Sequence, residues 1–397
     1  MHRERAGLHA DTPRAAVLHA RSRRAKSPSV PIPRGYRQLM LLGRHADPDS
    51  TLGTDPRADP RMVEVFAGFG LDGRFPSSGL TVDSPIDQRH AFAAMSEQAV
   101  GAVFDALAGS LPQPPGVETT TSTIPGPDGN DITVYVSRPA GASTVLPGIV
   151  HLHGGGMAIA SAADAPYMRL REHLAATGLV VIGVEFRNSA GKLGPHPYPA
   201  GLGDCAAAAR WVSAERAELG VSHIVVSGES GGGNLTLTLA HRAKREGWIG
   251  DIAGFYAQCP YISNRWMDTC EDLPSLEEND GYFISREQLA LLGSLYDPDG
   301  AYSQDPTCWA SAATDEDLKD LPPHVISVNE LDPLRDEGLQ YYRRLLRAGV
   351  PAVGRVVAGT CHGGDLLCGT AMPDVFAASI NDVSGFAKSL GVLRGPG

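Results

Sequence analysis

The 397 residues are enough to bury a sizeable core, and 42% apolar with 20% charged residues is the balance of an ordinary globular protein. A net charge of −11 excludes the basic surface that nucleic acid or anionic lipid would require, and a small neutral molecule is the easier ligand. Six scattered cysteines (Cys205, Cys259, Cys270, Cys308, Cys361 and Cys368) include no C-x-x-C pair, which fits a reducing cytoplasm better than a disulfide framework or a zinc site. Runs such as GLVVIGV are strand-sized, far short of the ~20 residues of a membrane helix.

Residues 1–35 are rich in Arg, Ala, Ser and Pro, with Glu4 and Asp11 as their acids. They lack the apolar periodicity of a packed element, so a disordered tail is expected. Residues 36–115 read as helical: DPRMVEVFAGFG and SPIDQRHAFAAMSEQAVGAVFDALAGSL carry apolar residues at helical spacing, the second opening on Ser84 and Pro85. From 117 to 139 two β-rich runs flank a Pro-Asp-Gly turn and predict a hairpin. Strands are then predicted at 148–154, 179–186, 223–230, 252–262, 324–332 and 352–359. Amphipathic segments such as DCAAAARWVSAERAEL, GNLTLTLAHRAKREG, DEGLQYYRRLLRAG and PDVFAASINDVSGFAKSLG separate or follow them. Near-continuous apolar strands alternating with helices mean a mostly parallel sheet covered on both faces, the α/β class. The stretch from 263 to about 310 interrupts the alternation as an insertion. Residues 116–397 are thus expected to form the main α/β domain.

Three motifs carry chemistry. Gly228-Glu229-Ser230-Gly231-Gly232 fits G-x-S-x-G and lies between a buried strand and a helix, where a sharp turn would present the serine hydroxyl near a helix N-terminus. Alone, such a short motif is as easily a glycine-rich turn. His153-Gly154-Gly155-Gly156 follows an earlier strand, and its glycines can turn amides toward a developing oxyanion, which assigns Gly155 and Gly156, with Gly231, as donors. The competing readings are a turn without function and a His151-x-His153 metal pair, for which no further ligand cluster of suitable spacing is present.

A serine nucleophile needs a base held by an acid. Asp332 ends a predicted strand; Glu330, Asp336 and Glu337 are its rivals, the last two expected to serve the dipole of the next helix. His362 lies in a glycine-flanked loop just past the following strand. The order Ser230, Asp332, His362 is that of the α/β-hydrolases.

HGGG at 153–156, GESGGGN at 228–234, DPLRDEG at 332–338 and HG at 362–363 resemble the hormone-sensitive-lipase-like esterases, over about residues 46–393. The resemblance implies an α/β-hydrolase fold with a helical cap, built from 36–115 and the insertion near 263–310. It implies a serine carboxylesterase working through an acyl-enzyme, with no cofactor and no metal. Glu229 and Gly231, where Asp and Ala are frequent, EFRNSAGKLGPHPYP, and Gly363-Gly364 depart from the commoner pattern and bear on substrate rather than on the triad. Met157, Tyr261, Trp266, Tyr282 and Phe283 are expected to contact substrate. The expected partner is a short or moderately sized ester, with a macrocyclic lactone added by the resemblance, and neither nucleic acid nor membrane. An acyltransferase on the same triad and a non-catalytic binding protein of this fold are the alternatives, and a homodimer is one of the oligomeric states left open.

Overall fold

The computed structural model describes residues 47–268 and 271–392. The expected tail at 1–35, and Cys270, lie outside the described residues. Eight strands form one sheet in the order β1-β2-β4-β3-β5-β6-β7-β8. They are β1 (Val117–Pro125), β2 (Asp131–Pro139), β3 (Leu146–Leu152), β4 (Val180–Glu185), β5 (Val221–Glu229), β6 (Ile252–Gln258), β7 (His324–Asn329) and β8 (Ala352–Val357). The hairpin β1–β2 is antiparallel and meets β4 antiparallel; every other pairing is parallel.

The longer helices are α1 (Pro60–Ala67), α2 (Ile86–Gly109), α3 (Ala165–Ala176), α4 (Ala200–Ala214), α5 (Gly231–Arg245), α6 (Arg286–Tyr296), α7 (Arg335–Arg347) and α8 (Pro373–Val392). Among the described residues none is long and apolar enough to cross a membrane.

Strand periodicity explains the two-sided core. Ile149, Val181, Val225 and Val325 pack on one face with Leu174 of α3 and Ile380 of α8. Their neighbours Val150, Ile182, Val226 and Ile326 pack on the other, with Val212 of α4, Leu235 of α5 and Leu345 of α7. Alternate side chains of a strand point to opposite faces, so a strand buried on both must be apolar throughout. At the hairpin edge this requirement lapses, and β1 is exposed over most of its length.

Helix α3 has no counterpart among the predicted segments, because its buried positions include Arg171 and Glu172 and so break the apolar stripe. The Arg171 guanidinium lies over Gly183, where a Cβ would come within 2.6 Å of Nε, and 5.4 Å from the centre of the Tyr135 ring. Burial draws its pKa down to about 10.

Strand β3 lies between β4 and β5. The chain therefore leaves β3 to one side, returns past it to the other, and opens a crevice at the carboxyl ends of β3 and β5. Helix α2 is tied to α6 above that crevice through Arg89, which donates to Ser294 Oγ at 2.8 Å. Helix α1 rests on the loop after β8: Asp59 N donates to Gly359 O at 2.8 Å, and Cys361 N approaches Met62 Sδ at 3.4 Å.

Candidate active site

Ser230 joins β5 to α5 with φ 56° and ψ −117°. Positive φ is costly for a residue with a side chain, on the order of 1–3 kcal/mol, and survives only where the surroundings impose it. Here the imposing contacts are visible. A Cβ at Gly228 would lie 2.4 Å from Leu152 O, and one at Gly232 only 1.9 Å from the same atom, so only glycine on either side lets the turn sit against β3. Ser230 N donates to Gln258 O at 2.9 Å, and Ser230 O accepts from Asn234 N and Tyr261 N.

The three residues singled out from sequence are brought together. Ser230 Oγ is 2.9 Å from His362 Nε2, and His362 Nδ1 is 2.8 Å from Asp332 Oδ2. Asp332 is fully buried, and its second oxygen accepts from Leu334 N at 2.9 Å. With Nδ1 protonated toward the carboxylate, Nε2 is the acceptor for the serine hydroxyl. Burial disfavours the imidazolium, yet the Asp332 carboxylate, with Cys259 beside the ring, holds the His362 pKa well above the ordinary value.

The rival acids are engaged elsewhere. Glu330 accepts from Gly359 N at 2.8 Å. Asp336 and Glu337 do lie in the first turn of α7, but their work is tertiary. Asp336 pairs with Arg335 and accepts from Ser275 N at 2.7 Å. Glu337 accepts from Ile262 N at 2.6 Å and Trp266 Nε1 at 3.2 Å, and burial lifts its pKa to about 7.

The loop after β3 carries Gly155 at φ 98° and Gly156 at φ 64°. None of the described residues accepts a hydrogen bond from the amides of Gly155, Gly156 or Gly231. A Cβ on Gly231 would lie 2.6 Å from the amide nitrogens of both Gly156 and Met157, so the three-donor neighbourhood is closer than an alanine at 231 would permit.

Three carboxylates pin this loop; Glu229 lies inside the G-x-S-x-G motif, where it is expected to bear on substrate, and motif spacing announces neither Glu97 nor Glu185. Glu229 accepts from Gly154 N at 3.0 Å and bonds His151 Nε2 at 3.0 Å. Glu97 of α2 accepts from Ala160 N at 2.9 Å. Glu185, at the end of β4, accepts from Ser161 Oγ at 2.7 Å and Ala162 N at 3.0 Å. Such charge-assisted bonds are about twice as strong as neutral ones. His151 Nε2 is thus bonded to Glu229, while His153 stacks on Phe186 with its Nδ1 2.8 Å from Gly154 O.

The histidine loop is held in the same way. Asn329, ending β7, accepts from Gly363 N at 3.1 Å and donates to Thr360 Oγ1 at 2.7 Å and Asp365 Oδ1 at 2.8 Å.

A cavity of about 460 Å³ opens over Ser230 and His362. Its walls come from α2 and the segment before it (Phe75, Phe92, Phe104), from α6 and its approach (Phe283, Ile284, Leu292), and from Tyr261. Of the five expected substrate contacts, Tyr261 and Phe283 line it, and Met157, Trp266 and Tyr282 do not. Met157 is buried beneath the glycine loop against Asn234. Trp266 stacks on Tyr261 with 4.1 Å between ring centres and donates to Glu337. Tyr282 turns into the cluster of Met62 and Phe66, where its hydroxyl donates to Asp55 Oδ2 at 3.1 Å. A buried indole or phenol goes where its polar end finds a partner, and for Trp266 and Tyr282 that partner lies away from the cavity.

Comparison with known proteins bears on the fold and the family. A family model described as alpha/beta hydrolase fold matches residues 149–365. Among solved structures, brefeldin A esterase, a bacterial homologue of human hormone sensitive lipase, superposes with a TM-score of 0.87 at 45% identity, covering 89% of this chain and 99% of that one. Carboxylesterase NlhH of Mycobacterium tuberculosis is 36% identical over 234 residues, 57% of this chain and 69% of the relative. Esterase LipI of the same organism is 31% identical over 260 residues, 64% and 76% of the two chains. The chain belongs to the α/β-hydrolase fold family and, within it, to the serine carboxylesterases that resemble hormone-sensitive lipase.

Proposed function

We propose that this carboxylesterase acts through Ser230, His362 and Asp332 on short or moderately sized esters enclosed beneath a cap. The observation that carries the reading is the unbroken chain of bonds from Ser230 Oγ through His362 to buried Asp332 at the floor of an apolar cavity. His362 accepts the serine proton as Oγ attacks the ester carbonyl. The amides of Gly155, Gly156 and Gly231 stabilise the oxyanion, because donors fixed in advance cost no reorganisation when charge develops. His362 then protonates the departing alcohol, and water attacks the acyl-enzyme by the same route in reverse. Asp332 orients the imidazole and stabilises its charged form. The cap is the 36–115 region, of which 36–46 lie outside the described residues, together with the insertion near 263–310, of which 269 and 270 lie outside them.

Cavity size sets the substrate test. Each added methylene that finds apolar wall is worth up to ~0.8 kcal/mol, about fourfold in kcat/KM, and an overfilled cavity reverses the gain. Rates on p-nitrophenyl esters of increasing acyl length should pass through an optimum among short chains and fall steeply beyond it, with no jump at an oil–water interface. A rate that keeps rising to long chains and responds to emulsified lipid would overturn the enclosed-cavity reading. The likeness to brefeldin A esterase adds that compound, and with it the macrocyclic-lactone class expected from sequence, to the proposed substrates.

The pH profile follows from His362. General-base catalysis needs the neutral ring, and the raised pKa means the ring stays protonated to a higher pH than an ordinary imidazole, ~6.5. Activity should therefore be lost as pH falls, with a midpoint in kcat/KM above ~6.5. A midpoint clearly below that value would mean that Asp332 does not act on His362 as proposed.

A further inference from the structure

Cys259 is the first residue past β6 and has φ 35°, a left-handed conformation unusual for a residue with a side chain. Its thiol stands beside the catalytic pair: a ligand atom of Cys259, one of Asp332 and one of His362 all lie within 4.8 Å of one another, and all three residues are buried. Cys259 and His362 also line the substrate cavity, so a small solute that enters the cavity reaches both. Cys205, Cys308, Cys361 and Cys368 are buried too, but none of them lines that cavity.

We propose that Cys259, His362 and Asp332 form a binding site for a thiophilic divalent cation, Zn²⁺ or Cd²⁺, whose occupation switches the esterase off. Thiolate, imidazole and carboxylate are a complete set of zinc-type ligands, with the fourth position left to water from the cavity. Bonds of ~2.0–2.3 Å hold tetrahedral ligands roughly 3.3–3.8 Å apart, a spacing that three atoms already within 4.8 Å of one another reach by small side-chain shifts. Burial pushes the Cys259 thiol up, with His362 acting against it. On binding, the thiol gives up its proton to solvent and ligates the ion as thiolate. Once bound, the cation takes both the ring lone pair and the carboxylate that His362 needs to accept the proton of Ser230. Inhibition thus rests on the proposed triad, whereas binding does not.

The test separates the two. Cd²⁺ is titrated into the full chain in chelator-free buffer while near-ultraviolet thiolate-to-cadmium absorption and p-nitrophenyl acetate hydrolysis are followed together. The unsubstituted enzyme should lose activity as the absorption band grows to one equivalent, and EDTA should restore it. Ser230→Ala should keep the band, since the serine is not a ligand. Cys259→Ala should lose it and require at least ~10-fold more Cd²⁺ for half-inhibition, the scale on which losing a metal-site group acts. If the alanine variant does not fold, Cys259→Ser serves, with the loss of the band as readout. Inhibition without a band, or an unchanged band in the Cys259 variant, would overturn the site. A Ser230→Ala enzyme that still hydrolyses ester while keeping the band would instead overturn the triad and leave the cation site standing.

Discussion

Ser230→Ala should lower esterase turnover on the order of 10⁴-fold or more while leaving the fold intact. The size of the effect follows from the geometry. The hydroxyl meets His362 Nε2 at 2.9 Å and lines the cavity, from a backbone held at φ 56°. Nothing else nearby replaces it. Cys259 also lines the cavity, but burial pushes its thiol pKa up and it follows β6 rather than the turn into α5. Stability should change little, because alanine adopts the same backbone and loses one partly buried hydrogen bond, worth about 1 kcal/mol. Steady-state hydrolysis together with a thermal melt checks both parts. A folded variant that kept a tenth of the parental rate would remove Ser230 from the nucleophile's role.

Asp332→Asn should approach the same loss, on the order of 10⁴-fold in kcat, whereas Glu330→Gln should cost little. Asp332 Oδ1 already accepts from Leu334 N, which dictates how an amide would sit there. Its oxygen stays on Leu334 N, and its NH₂ turns toward His362 Nδ1. Facing a donor, Nδ1 must give up its proton to Nε2, and Nε2 can then no longer accept from Ser230. The lost carboxylate also leaves burial acting on the imidazolium with less opposition, so what activity remains should titrate at lower pH than in the parent. At Glu330 the bond from Gly359 N can be accepted equally by a glutamine oxygen, and no bond reaches His362. The kcat values of the two variants, measured with their pH profiles, decide the matter; the reverse ranking would move the acid to Glu330.

The features legible in the chain are those whose cause is local. The nucleophile turn can be read because its glycines answer a backbone collision within a few residues and against the adjacent strand. The sheet can be read because strands buried on both faces must be apolar throughout. The candidate acid and base can be read because a parallel sheet delivers the ends of β7 and β8 to the same edge as that of β5, whatever the loops between them do. Helix α3 escapes the same reading for a local reason as well, since Arg171 and Glu172 occupy buried positions that periodicity assigns to apolar residues.

Long-range pairing decided the rest. Glu97, Glu185 and Glu229 come from distant parts of the chain and converge on one glycine loop. In isolation Glu97 and Glu185 are ordinary acidic residues of a helix and a strand end, and Glu229 is one variable position of the G-x-S-x-G motif. Tyr261 and Phe283 face the cavity while Trp266 and Tyr282 turn away, a choice made by where Glu337 and Asp55 offer partners for their polar ends. Cys259 likewise gains meaning only from its distance to His362 and Asp332. The sequence by itself determined the fold class and the order of the candidate catalytic residues, because backbone sterics and side-chain periodicity act over a few residues and are written in residue type. Only the tertiary structure decided which side chains complete the site, because hydrogen bonds and burial depend on neighbours far apart in the chain, and no short-range pattern records them.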